Sequence, residues 1–185
     1  MLSERDYVVL VNEQAETVGR EEKLKAHQQG LLHKAFSIFI FNHSDQMLVQ
    51  QRGVEKYHFA GLWSNACCSH PIPEETTEEA AHRRLKEEMG FDTALKEAFS
   101  FIYKVQDQKS SLYEHEYDYV FVGLYEGEIR ADEKEINAYK WVNIPDLLED
   151  LDRSTDTYSP WFKMGIEKLS QKGLLSAAGI RDFLR

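Results

Sequence analysis

The 185-residue chain has no apolar run approaching the length of a membrane-spanning helix, and residues 1–6 carry neither the basic cluster nor the apolar stretch of a secretory leader. Both absences predict a cytoplasmic protein. Positive charge is also short: 22 Lys and Arg stand against 32 Asp and Glu, a formal net charge of −10. Nucleic acids and anionic membrane surfaces are bound through a cationic field, so this balance argues against both as general partners, and a polyanionic small molecule would need a local cationic pocket. Cysteine is scarcer still. Only Cys67 and Cys68 are present, and as neighbours their Cα atoms lie about 3.8 Å apart, short of ordinary disulfide spacing. Free thiols in a reducing compartment are expected. Repeats, low-complexity tracts and linkers are missing too, so residues 1–185 are expected to form one globular domain.

What is there begins with a helix that can be argued from its own residues. Thr76-Thr77-Glu78-Glu79 has the form of a capping box, with Thr76 as N-cap, and Gly90 supplies the stop. Between them Ala81, Arg84, Leu85 and Glu88 fall at i, i+3, i+4 and i+7, so an apolar face continues into a charged one. Residues 7–12 form an apolar run consistent with a strand, and residues 21–27 a short helix or irregular segment ended by Gly30. Residues 35–41 and 46–51 are joined by the turn residues 42–45 and read as a β-hairpin. Two further strands are expected at 97–103 and 116–125 and a last one at 138–143. Helices are expected at 144–151, with Pro145 in the first turn, from Pro160 to about 171, and at 174–184.

Taken alone, Arg83-Arg84-x-x-Glu87-Glu88 is a solvated face of ion pairs. The wider spacing resembles the Nudix box, which runs Gly, five residues, Glu, seven residues, Arg-Glu, aliphatic, any, Glu-Glu, any, Gly, aliphatic. Glu75, Arg83, Leu85, Glu87, Glu88 and Gly90 fall in register, with Phe91 in the last apolar place. Ser69 replaces the first Gly, and Arg84 replaces the first helical Glu. A cation in place of one metal-gathering carboxylate changes the local charge by two units, which disfavours hydrolysis without disfavouring diphosphate binding.

A box with Arg at that place, preceded by Asn65-x-x-Cys68-x-His70, resembles type 1 isopentenyl-diphosphate isomerases. The resemblance implies a mixed β-sheet flanked by helices, an α/β fold, and conversion of isopentenyl diphosphate to dimethylallyl diphosphate. It also implies roles. His27, His33, His70, Glu114 and Glu116 match a metal set; Lys23, Arg52, Lys56 and Arg84 match basic positions at the diphosphate end; and Ser159-Pro160-Trp161 matches again near the C-terminus. Three imidazoles and two carboxylates suit Mn²⁺ or Zn²⁺, or Fe²⁺, better than Mg²⁺ or Ca²⁺. Glu114 and Glu116, at i and i+2, share one face of a strand, while His115 points the other way. His43, His58 and His82 read as structural.

The reaction protonates an unactivated alkene and removes a proton from a neighbouring carbon, through a tertiary carbocation. It needs an acid, a base across the substrate, exclusion of water, and surroundings that tolerate positive charge. Cys68 and Glu116 are the expected acid/base pair, with Tyr103 relaying or orienting a proton near Glu116 and Trp161 offering a π-face to the cation. A Mg²⁺ bridging Glu88 and the diphosphate would neutralise charge. Cys68 is preferred over Cys67 because only it gives the Cys-x-His spacing. The runner-up, a Nudix hydrolase of a nucleoside diphosphate derivative, has no use for Cys68 or the histidines. A catalytically silent Nudix-fold binding module would have lost the acid and metal residues.

Overall fold

A computed structural model describes residues 3–56 and 58–185. After a 3₁₀ turn at Glu4–Asp6 come β1 (Tyr7–Val11), β2 (Thr17–Glu22), α1 (Lys23–Gln29), β3 (His33–Phe41), β4 (Gln46–Arg52) and two short strands, β5 (Trp63–Asn65) and β6 (Cys67–Ser69). Then follow α2 (Thr77–Met89), β7 (Leu95–Gln106), β8 (Tyr113–Leu124), β9 (Ile136–Asn143), α3 (Ile144–Arg153), a 3₁₀ turn at Thr155–Thr157, α4 (Pro160–Gln171) and α5 (Ala177–Leu184). The strands join in one mixed sheet with helices on its faces, as expected. Among the described residues no helix is long and apolar enough to cross a membrane.

β3 is the axis of the sheet. Along one edge it runs parallel to β8, from His33 opposite Glu116 to Phe41 opposite Leu124. Its other edge is divided among three antiparallel partners: β1 at His33, β6 at Phe36 to Ile38, and β4 only at Phe41. The expected hairpin of β3 and β4 is therefore paired only beside its turn. β4 swings away to pair with β5 and β9, which opens room for β6 to enter.

Because side chains alternate along a strand, β3 serves two cores. Phe36, Ile38 and Ile40 pack under α2 with Leu85 and Met89, while Phe39 and Phe41 pack with Val120, Val122, Leu147 and Phe162 beneath α3 and α4. Emptying one such fully buried position by Phe→Ala costs about 3–5 kcal/mol. The second face changes character along its length. Toward the start of β3 and β8 its positions are His33, Ser37, Glu114, Glu116 and Asp118, all buried. A polar site thus occupies the end of a face whose other end is hydrophobic core.

Helix α2 has the ends its sequence predicts. The Glu79 N–H donates to Thr76 Oγ1 at 3.2 Å and the Thr76 N–H to Glu79 Oε2 at 2.9 Å. Gly90 closes the helix at φ 75°, and a Cβ there would lie 2.5 Å from the Arg130 carbonyl oxygen, so two separate constraints require glycine. The strands β2, β5 and β6 were not legible as such: they are short or polar, and their pairing comes from tertiary context.

Candidate functional site

Glu114, Glu116 and Asp118 stand at alternate positions of β8 and turn to one buried face. Glu116 is the register partner of His33 on β3 and of Tyr103 on β7. Helix α1 adds His27, and the residue after β6 is His70. His27 and His33 each turn Nδ1 to a backbone carbonyl, of Lys23 at 2.6 Å and of Leu31 at 2.8 Å. A carbonyl only accepts, so these Nδ1 atoms carry hydrogen, and each ring turns its Nε2 toward the cluster, where it offers a lone pair unless a second proton sits there. There His33 Nε2 lies 3.2 Å from His70 Nε2, His70 Nε2 2.9 Å from Glu116 Oε1, and His27 Nε2 3.2 Å from Glu114 Oε2.

Ligand atoms of His27, His33, His70, Glu114 and Glu116 all lie within 4.8 Å of one another. Acceptors converging in a buried space require positive charge among them, as a proton or a metal ion. This cluster fits a divalent metal site, and its nitrogen-rich donor set is the observation that supports the fit. Its titration follows the same logic. Burial opposes charge on Glu114, yet hydrogen bonds from His27 and His58 hold its carboxyl well below the usual range. Burial and the charge of Glu114 push Glu116 up. Burial, with Lys23 and His33 nearby, keeps His70 well below the ordinary imidazole value.

Beside the cluster opens a cavity of about 270 Å³. Glu114, Glu116 and His70 form part of its wall, together with Cys68, Tyr103 and Trp161. The two cysteines are separated by the alternation of β6: Cys67, partner of Ile38, is buried under α2, whereas Cys68, partner of Ser37, faces the cavity. Burial pushes the Cys68 thiol up to about 11 although Arg52 pulls the other way, so it holds its proton at neutral pH. Arg52 Nη1 donates toward Cys68 Sγ at 3.6 Å. The Tyr103 hydroxyl donates to Glu116 Oε2 at 2.5 Å, and burial with that negative neighbour holds the phenol well above its usual value.

Trp161 owes its place to the residues before it. The Ser159 N–H donates to the Trp63 carbonyl at 2.9 Å, the Ser159 and Ser64 hydroxyls share a hydrogen bond of 2.8 Å, and Pro160 occupies the first turn of α4. The indole is 3% exposed, with the Arg52 guanidinium 5.1 Å from its ring centroid.

The cavity wall also carries cations, with Lys23, Lys56 and Arg84 among its lining residues. Burial, then the neighbouring charge of Lys56, lowers the pKa of Lys23. Arg84 donates to Glu87 Oε2 at 2.7 Å, to Glu88 Oε1 at 2.5 Å and to Glu135 Oε1 at 3.2 Å. Lys56 also bonds Glu135. Arg83, also in the lining, is forked onto Glu75 with both contacts at 2.7 Å and reaches Glu87 Oε2 at 3.3 Å.

The model of the NUDIX domain family matches residues 31–162. Isopentenyl-diphosphate Delta-isomerase 2 of Aromatoleum aromaticum is 44% identical over 174 residues, spanning 94% of this chain and 92% of that protein. The protein of the same name from Photorhabdus laumondii is 44% identical over 91% of this chain and 95% of its own length. The chain belongs to the isopentenyl-diphosphate Delta-isomerases of the Nudix family. Among solved structures, DR0079 of Deinococcus radiodurans superposes with a TM-score of 0.70 at 18% identity, covering 85% of this chain and 96% of that one, a likeness of fold alone.

Within this isomerase family frame, the structure brings the sequence-derived candidates together. Lys23, Arg52, Lys56, Cys68, His70, Arg84, Glu88, Tyr103, Glu114, Glu116 and Trp161 line one cavity, and His27 and His33 stand behind its wall in the His/Glu cluster. His43 and His82 lie apart from it: His43 meets Arg181 and His82 meets Asp92. His115 turns to the Gly30 carbonyl at 2.8 Å. His58, read from sequence as structural, lines the cavity and its Nε2 bonds Glu114 Oε1, a contact that no local pattern announces. Glu135 was also missed, although Gly53 carried a signal. A Cβ at Gly53 would lie 2.9 Å from the Glu135 carbonyl oxygen, so glycine permits the close approach that brings Glu135 to Lys56 and Arg84.

Proposed function

We propose that this enzyme converts isopentenyl diphosphate to dimethylallyl diphosphate in the cytoplasm by moving a proton on and off the carbon chain. The observation that best supports the reading is a single cavity lined by a protonated thiol, a tyrosine-bound carboxylate and a group of cations. Lys23, Lys56 and Arg84 receive the diphosphate, for which a guanidinium fork is suited. Its oxygens compete with Glu135 for Lys56 and Arg84, which hold that carboxylate in the free protein.

Cys68 and Glu116 then act on the alkene. One gives a proton to the terminal carbon, the double-bond electrons forming the new C–H bond and leaving a tertiary cation. The other takes a proton from the adjacent carbon, whose C–H electrons become the new double bond. Tyr103 orients the Glu116 carboxylate for this exchange, and Arg52 stabilises the thiolate while Cys68 is without its proton. Trp161 closes the apolar end against water and offers ring density to the cation. His27, His33, His70, Glu114 and Glu116 would hold Mn²⁺ or Zn²⁺, and Glu88 a Mg²⁺ accompanying the diphosphate. Bound there, these ions would supply positive charge that neutralises the diphosphate and tunes the acidity of Glu116.

A hydrolase gathers its metal ions on a full set of α2 carboxylates, whereas here Arg84 stands in place of the first of them and pairs with Glu87. Incubation of the protein with isopentenyl diphosphate and Mg²⁺ in D₂O, followed by NMR, decides between the readings. Deuterium-bearing dimethylallyl diphosphate is the expected product. Release of phosphate or diphosphate without a shifted double bond would establish hydrolysis instead.

A further inference from the structure

We propose that His58 is a positioning residue of the metal centre, holding Glu114 by the oxygen that faces away from the cluster. The inference rests on the reading of the His/Glu cluster as a metal site and extends it to a residue outside the five ligands. Glu114 is divided between two histidines. Its Oε2 lies 3.2 Å from His27 Nε2 inside the cluster, and its Oε1 accepts from His58 Nε2. The His58 ring stands edge-on to that of His27, with centroids 5.0 Å apart, and is 5% exposed. A carboxylate fixed through one oxygen presents only the other, so the contact selects single-oxygen ligation by Glu114 and sets its angle. Hydrogen bonds behind a ligand have this effect at metal sites generally.

The backbone that carries His58 is held in place from several directions. The next residue, Phe59, sits at φ 48°, a left-handed conformation that a bulky side chain adopts only when its surroundings demand it. Those surroundings are specific. The Phe59 N–H donates to Asp107 Oδ2 at 3.2 Å, and its carbonyl accepts from Arg52 Nε at 3.2 Å. Its ring meets Trp161 edge to face at a centroid distance of 5.3 Å. Arg52 Nη2 reaches the His58 carbonyl at 3.5 Å. These contacts hold the backbone that carries His58 beside Glu114.

The test compares wild type, His58→Ala and His58→Gln. Each protein is stripped of metal with a chelator, its melting temperature is recorded, and Zn²⁺ is titrated against a chromophoric competitor. Co²⁺ is then substituted and its visible spectrum taken. His58→Ala should weaken Zn²⁺ binding roughly 10–100-fold. His58→Gln, whose amide N–H can reach the same oxygen, should recover most of that loss and leave the Co²⁺ spectrum unchanged. Wild-type affinity in His58→Ala overturns the proposal. So does loss of an imidazole ligand from the Co²⁺ spectrum of His58→Gln, which would make His58 a direct ligand. Equal affinity losses in both variants, tracking equal drops in apo-protein melting temperature, assign His58 to packing and also overturn it. A wild-type protein that binds neither metal refutes the metal reading itself, and the inference with it.

Discussion

Tyr103 and Glu116 are direct register partners across β7 and β8, and the phenol donates to Glu116 Oε2 at 2.5 Å while Glu116 Oε1 lies 2.9 Å from His70 Nε2. The carboxylate thus has one oxygen on the histidine side and one on the tyrosine. Tyr103→Phe keeps the ring and removes only the donor. It should lower kcat about 10²-fold, the low end of what positioned acid/base groups contribute, with metal content unchanged. Metal loss parallel to the activity loss would make the hydroxyl a support of the cluster rather than of proton transfer.

The alternation of β6 makes the neighbouring cysteines a built-in control. Cys68→Ala should nearly abolish turnover, and Cys68→Ser should do almost as much damage, because a hydroxyl differs from a thiol by several pKa units. Cys67→Ala, under α2, should lower stability and leave most activity. Alkylation of the native protein should occur at Cys68, slowly at pH 7 and faster as the pH approaches its pKa of about 11, since only the thiolate reacts. Equal damage at both positions would place the chemistry on another group.

Arg84 separates diphosphate binding from the acid/base end. Arg84→Gln removes a charge-assisted contact worth about 1.5–3 kcal/mol, which corresponds to roughly 10–150-fold weaker binding. Inorganic diphosphate, as a competitive inhibitor, should bind weaker by that factor, while metal bound at the His/Glu cluster stays the same. An unchanged inhibition constant would remove Arg84 from the diphosphate site.

Local chemistry explains which parts were legible. The ends of α2 were readable because Thr76, Glu79 and Gly90 act within a few residues, and the Glu114/Glu116 face was readable because strand alternation is local. The divided edge of β3 was not, since it depends on β4 leaving its hairpin partner and β6 entering. The anions around Arg84 illustrate the same limit. The resemblance places Arg84 at the diphosphate, and within the chain it meets Glu87, Glu88 and Glu135, the last of them 51 residues away. His58 read as structural because its partner Glu114 lies 56 residues away and its neighbour Phe59 is held by Arg52, Asp107 and Trp161, residues brought together only by the fold.

The fork between Arg83 and Glu75 ties the loop before α2 to the helix, and it yields a prediction about stability rather than activity. Both Glu75 oxygens accept from Arg83 at 2.7 Å, and Oε2 also accepts from the Ile72 N–H at 3.1 Å. Burial acts against ionisation, but these bonds prevail and the folded-state pKa lies below the usual carboxylate value. A group depressed in the folded state binds its proton more readily when unfolded. Its stabilising contribution is therefore complete above the unfolded pKa of about 4.3 and is lost as pH falls through the folded value. Glu75→Gln removes the titrating group and the charge pair together. The variant should melt below wild type at pH 7, and the gap should narrow as the pH is brought from 5 toward 3. Thermal melts of the two proteins at matched ionic strength measure it. A gap that stays constant across this range would mean that the Glu75 charge contributes nothing to holding the loop against α2.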